Sequence, residues 1–105
     1  TIRTTMKRLS SPTVKLAAKQ IGENLATWRK LYNLTSQQLA DKAAVSRATI
    51  SRLENGDPKV SFETFLNVCR ALSSLDAVVE ATDPYETDYG RVRADQVLPQ
   101  RVRSS

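Results

Sequence analysis

Residues 35–56, TSQQLADKAAVSRATISRLENG, constrain the fold of this chain more than any other stretch. Leu39, Ala40, Ala43, Val45, Ile50 and Leu53 recur at helical spacing on either side of a short break. Two short helices crossing steeply would turn these positions onto one shared core and leave the polar residues between them in water. The start and stop signals agree. Thr35 is placed to cap the first helix, with Gln38 returning the bond, and Ser46 to cap the second by accepting from the amide of Thr49. Gly56 can take the left-handed conformation that stops the second helix, and Asp57-Pro58 prevents its resumption.

The run at 45–56, VSRATISRLENG, resembles the V-S-x-x-x-I-S-x-L/I-E-N/x-G signature of the Cro/C1 (XRE) family of bacterial and phage helix-turn-helix regulators. Ala44 departs from the family, which usually has Gly with positive φ in the turn; a residue with a Cβ costs about 1 kcal/mol there. The resemblance implies a mostly α, lambda-repressor-like bundle and double-stranded DNA as a partner.

Around this motif the chain divides simply. Residues 1–11 carry Arg3, Lys7 and Arg8 and read as a flexible basic arm, either solvated or laid along DNA phosphates. Ser11-Pro12-Thr13 starts a long helix reaching about Tyr32, with Val14, Ala17, Ile21, Leu25, Trp28 and Tyr32 as its core face and Trp28 as a packing residue. Asn33 can end it in the left-handed region. Ser61 caps a further helix whose Phe62, Phe65, Leu66, Cys69 and Leu72 face the core, which makes Cys69 a small buried hydrophobe. Residues 12–73 are thus expected to form the DNA-binding domain.

Beyond it the pattern changes. Leu75, Ala77, Val79 and Ala81 alternate with Asp76, Val78, Glu80 and Thr82, so residues 74–82 read as one β-strand. A lone strand cannot satisfy its own backbone, and its expected partner is the same strand of a second copy, forming a ribbon across the two-fold axis of a homodimer. The competing reading continues the preceding helix through these residues. Residues 83–105 form a tail with room for a short helix at 90–98. Its Tyr85, Tyr89, Val97 and Leu98 stand beside Arg91, Arg93, Arg101 and Arg103 and suit either a protein partner or a disordered solubilising role.

Composition excludes much chemistry. The chain has no His and one Cys, so it can form neither an internal disulfide nor a thiolate metal cluster. Without a phosphate-binding Gly loop or paired carboxylates, neither an enzyme nor a cofactor is expected. The net charge of +5 suits an acidic polymer. With no apolar run near the length of a membrane span and no signal-like start, a cytoplasmic, nucleoid-associated protein is expected.

A second motif helix laid in the major groove presents Arg47, Ala48, Ser51 and Arg52. Arg can grip guanine, Ala can touch a thymine methyl, and Ser can bond several bases. The resemblance places the same four at the family's base-contacting positions. Ser36, Gln37, Ser46, Thr49, Asn55 and Lys59 are candidates for phosphate contacts, the first two through a helix N-terminus. Arg29 and Glu54 fall where family members pair an Arg of the first helix with the Glu of the signature. One such unit covers few base pairs, so a dimer on a palindromic operator is expected.

The order of helix-turn-helix, single strand and Arg-rich tail resembles the HipB-type regulators of HipA-like serine/threonine kinase toxins, including the three-gene version of that module. This resemblance implies repression of the protein's own operon and binding of the kinase. The alternative is an antitoxin or scaffold with little DNA-binding role of its own.

Overall fold

The structure, a computed structural model, describes residues 11–98. The expectations for the arm at 1–10 and for Arg101 and Arg103 lie outside the described residues. The described chain is helical: α1 (Pro12–Leu31), α2 (Ser36–Ala43), α3 (Arg47–Glu54), α4 (Phe62–Ala71), α5 (Leu75–Ala81), a 3-10 turn (Pro84–Glu86) and α6 (Asp88–Val97). It divides into two compact units at Ser73/Ser74.

In the first unit, α2 packs against α3 and α4, and α1 against α3. Leu25, Leu39, Ala40, Ala43, Ile50, Leu53, Val68, Cys69 and Leu72 are buried. The cap chemistry explains where these helices begin. The Ser11 hydroxyl accepts from the amides of Thr13 and Val14, and Ser61 Oγ accepts from Thr64 N at 3.1 Å. Three non-glycine residues hold positive φ among the described residues, namely Asn33 and Ala44 at 59° and Ser73 at 60°, each just after a helix. The bend after α1 is closed by the Leu34 amide donating to the Arg29 carbonyl at 3.0 Å.

The core differs from the sequence expectation on two faces. Of the α1 stripe, Leu25 alone is buried, while Val14, Ala17, Ile21, Trp28 and Tyr32 are exposed. The buried strip of α1 runs instead through Gly22 and Leu25, flanked by half-buried Ala18, Ala26 and Arg29. At about 100° per residue it lies roughly a quarter-turn from the centre of the apolar stripe. Trp28 is accordingly not a packed core residue; its ring stacks on Tyr32 with centroids 5.9 Å apart. On α4, Phe62 points outward and Val68 takes the core place, because Phe62 is the first residue of its helix and Val68 comes one turn before Leu72.

The second unit overturns the expected strand. Residues Leu75–Ala81 are α-helical, and no strand occurs among the described residues. The predicted β-ribbon through Leu75, Ala77, Val79 and Ala81 is therefore absent, and with it that route to a dimer. Two physical causes favour the helix. Leu75, Ala77, Glu80 and Ala81 are strong helix formers, and the alternation is broken by Val78. Half-buried Leu75 and Val78 lie three residues apart, a helical interval. A helix also satisfies its backbone internally, as in the Val78 amide to the Ser74 carbonyl at 3.2 Å, where an isolated strand cannot. Downstream, the Thr87 hydroxyl caps α6 by accepting from Gly90 N at 2.9 Å. Arg91 reaches the Asp88 carboxylate and the Tyr85 carbonyl.

Candidate nucleic-acid interface

The motif's geometry follows from its local bonds. At the start of α2, Thr35 Oγ1 accepts from Gln38 N at 3.0 Å and Gln38 Oε1 accepts from Thr35 N at 2.8 Å, a reciprocal capping box. The helix ends at Ala44, whose left-handed backbone (φ 59°, ψ 42°) turns the chain toward α3. Ser46 then caps α3, its hydroxyl accepting from Thr49 N at 3.1 Å and sharing a 2.8 Å bond with the Thr49 hydroxyl. Gly56 at φ +83° terminates α3, with the Asp57 amide donating to the Arg52 carbonyl at 3.0 Å.

α3 is fixed on the domain from behind. Arg29 Nε donates to Glu54 Oε2 at 2.8 Å and its Nη2 to Oε1 at 3.1 Å, while Nη1 donates to the Leu34 carbonyl at 2.9 Å. One guanidinium thus joins α1, the loop after it and α3. The bond to Glu54, and then its charge, hold the Arg29 pKa above the ordinary value against the opposing cost of burial. Gly22 allows the close approach: a Cβ there would stand 2.6 Å from the Leu53 carbonyl oxygen and 2.7 Å from that of Glu54. Gly56 performs the same service against Lys19, whose Cα would lie 2.6 Å from an added Cβ.

With Ile50 and Leu53 turned into the core, the outward side of α3 presents Arg47, Ala48, Ser51 and Arg52, all exposed. The two arginines differ. Arg47 makes no hydrogen bond or ion pair among the described residues, whereas Arg52 Nε donates to Asp57 Oδ2 at 2.8 Å. The other Asp57 oxygen accepts from the Lys59 amide at 2.8 Å. That amide first, and then Arg52, keep the Asp57 carboxyl below the usual carboxylate range. Asp57 thus ties the end of the recognition-type helix to the loop carrying Lys59, a role the sequence reading assigned to no residue. Its signal was present, since Asp at the first residue past a helix-ending Gly is a common turn former.

The six candidate phosphate positions are dispersed around this surface. Ser36 is half-buried and Gln37 exposed at the start of α2, with Gln37 Nε2 donating to Asp41 Oδ1 at 2.9 Å. Ser46 is exposed and Thr49 half-buried, their hydroxyls bonded to each other at the start of α3. Asn55 is the exposed C-cap of α3 and Lys59 is exposed beyond it. Elsewhere, burial pushes the Cys69 thiol up, so it is not poised as a nucleophile. Among the described residues there is no group of three or more metal-ligating side chains, and no helix is long and apolar enough to cross a membrane.

Comparison with known proteins places this geometry. Residues 25–76 match the helix-turn-helix family model, a span running from the core of α1 into α5. Antitoxin PezA of Streptococcus pneumoniae serotype 4 (strain ATCC BAA-334 / TIGR4) is 37% identical over 62 residues, covering 57% of this chain and 39% of that protein. The chain thus spans about two fifths of the length of this curated relative. No solved structure matches.

Proposed function

Residues 25–76 form a helix-turn-helix domain of the Cro/C1 (XRE) type, and from that premise we propose that the chain is a sequence-specific, dimeric DNA-binding repressor acting as the antitoxin of a toxin–antitoxin operon. In this reading α3 lies in the major groove. Arg47 reads guanine by a bidentate bond, Ala48 and Ser51 contact neighbouring base edges, and Arg52 exchanges Asp57 for a base or remains its partner beside the duplex. Ser36, Gln37, Ser46, Thr49, Asn55 and Lys59 position the backbone. What supports this reading most is the division of α3, whose apolar side chains are buried while Arg47 stands exposed on its outer side with no partner among the described residues.

The antitoxin role is supported by the similarity to Antitoxin PezA and by the second unit. α6 exposes Tyr89, Val92 and Val97, and its C-cap Leu98 is exposed too, alongside the exposed Arg91 and Arg93, a mixture of apolar, aromatic and Arg residues suited to a protein partner. A HipA-like serine/threonine kinase is the toxin we propose, on the likeness of the tail. The strand that formed part of that likeness is a helix.

Binding of the protein's own promoter duplex, followed by fluorescence anisotropy across salt concentrations, tests the DNA reading. Arg47→Ala should lose about 1–3 kcal/mol on the preferred site and little on random duplex. Lys59→Ala should weaken both alike and reduce the salt slope by about one. Wild-type-strength binding by Arg47→Ala, or no preference over random competitor, would overturn it. Co-purification with the product of an adjacent kinase-like gene tests the toxin reading separately.

A further inference from the structure

The exposed flank of α1 is patterned along its whole length. Val14, Ile21 and Trp28 recur every seventh residue, with Ala17, Asn24 and Leu31 at the intervening positions, the a and d spacing of a helix that pairs with another helix. All six are exposed: Val14 by 54%, Ile21 by 42%, Trp28 by 46% and Leu31 by 67%, with Ala17 and Asn24 in the same class. The domain's buried core uses a different strip of the helix, through Gly22 and Leu25; of the seam residues, Ile21 also lines an apolar groove of the domain with Leu53, Val60, Phe62 and Phe65, yet keeps 42% of its surface exposed.

Charge is excluded from it. The positions flanking the seam on its outer side are Thr13, Gln20 and Thr27, all uncharged, while Lys15, Lys19, Glu23 and Lys30 lie on other faces of the helix. In a chain of net charge +5, this is the side of α1 along which a second, equally basic molecule can approach without like charges meeting.

We propose that α1 pairs antiparallel with α1 of a second copy of this chain. This deepens the two-copy element of the proposed function and is independent of its DNA chemistry. The seam is complementary to itself in that orientation. With the two-fold axis between Ile21 and Asn24, Val14 faces the partner's Leu31, Ala17 faces the partner's Trp28, and Ile21 faces the partner's Asn24. Each large side chain meets a smaller one. The Trp28 indole is held for this by its stack on Tyr32, at an interplanar angle of 27°. Asn24 lies beside the axis, where one polar residue in an apolar seam fixes register and orientation at a cost in affinity.

Size sets the strength. From Val14 to Leu31 the seam is about 25 Å long and about 10 Å wide. That falls short of the roughly 800 Å² per partner of a stable complex. The pairing is therefore a weak equilibrium that two adjacent half-sites on one duplex would consolidate.

Full-length Val14→Cys and Leu31→Cys variants, oxidised mildly alone and as a mixture, test the register. The mixture should yield a cross-linked heterodimer. Either variant alone should not, since equivalent positions would stand about 25 Å apart, far beyond the reach of a disulfide. Cys69 is buried, and the wild-type chain serves as its control. Sedimentation equilibrium should show Asn24→Leu dimerising at least tenfold more tightly and Ala17→Glu at least tenfold more weakly. Self-cross-linking of either variant alone, no heterodimer, or a dimer indifferent to both substitutions would overturn the proposal. Anisotropy with a single half-site duplex separates the two readings. Half-site binding by Ala17→Glu at wild-type strength with an unaltered dimer would remove the seam alone, and cross-linking without half-site binding would remove the DNA reading alone.

Discussion

Arg29 and Glu54 face each other as fork on fork, with both side chains 13% exposed and nitrogen–oxygen distances of 2.8 and 3.1 Å. The pair sets the angle at which the last turn of α3 lies on α1, and so the presentation of Ser51 and Arg47 about one and two turns away. Removing one partner leaves a largely buried charge without its counter-ion. Glu54→Ala should cost about 3 kcal/mol in urea unfolding, and Arg29→Met with Glu54→Leu together should recover most of that. A loss below about 1 kcal/mol for the single substitution would show that the pair carries little of the packing.

Gly22 should resist the substitution that helix propensity favours. In an open helix interior Gly→Ala gains about 0.5–1 kcal/mol. Here the new Cβ would meet the carbonyl oxygens of Leu53 and Glu54 at 2.6 and 2.7 Å, and these are backbone atoms with no rotamer to yield. Gly22→Ala should therefore destabilise by about 1–3 kcal/mol, read as a fall in thermal midpoint, with α3 displaced from α1.

Ala44 behaves in the opposite sense. It sits at φ 59° and ψ 42° with its Cβ in the left-handed region. Ala44→Gly should relieve about 1 kcal/mol and raise the thermal midpoint by roughly 4–8 °C. Unchanged DNA affinity in the same variant would show that the turn's strain has no part in recognition.

What the sequence made legible was local. The Thr35–Gln38 box, the Ser46 cap on Thr49 and the left-handed Gly56 each depend on residues within three or four positions, and each is present. The Arg29–Glu54 pair, far apart in sequence, was accessible only through family resemblance. Two features were not legible, for physical reasons. On α1 the apolar stripe is wider than the strip the domain buries, so periodicity identified the helix and misassigned its inward side. Over Leu75–Ala81, seven residues sample too few turns to separate a period of two from one of 3.6, and the backbone's need for internal partners favoured the helix. The Arg52–Asp57 contact, by contrast, had a local signal, an Asp directly after the helix-ending Gly56, which the sequence reading used only as a helix stop.

The Asp57 carboxyl offers a pH test of that loop. Its folded pKa lies below the unfolded value of about 3.9, so its contribution to stability is fully present above that pH. It is lost progressively as pH falls through the lower, folded value, and stability between pH 5 and 7 should be indifferent to this group. The Lys59 amide is the larger cause of the depression and Arg52 the smaller. A carboxyl-carbon NMR titration of Arg52→Ala should therefore show the Asp57 pKa rising only part of the way to its ordinary value. A complete return would mean that the Lys59 amide bond depends on the arginine, so that the loop is ordered by the ion pair rather than by its own turn.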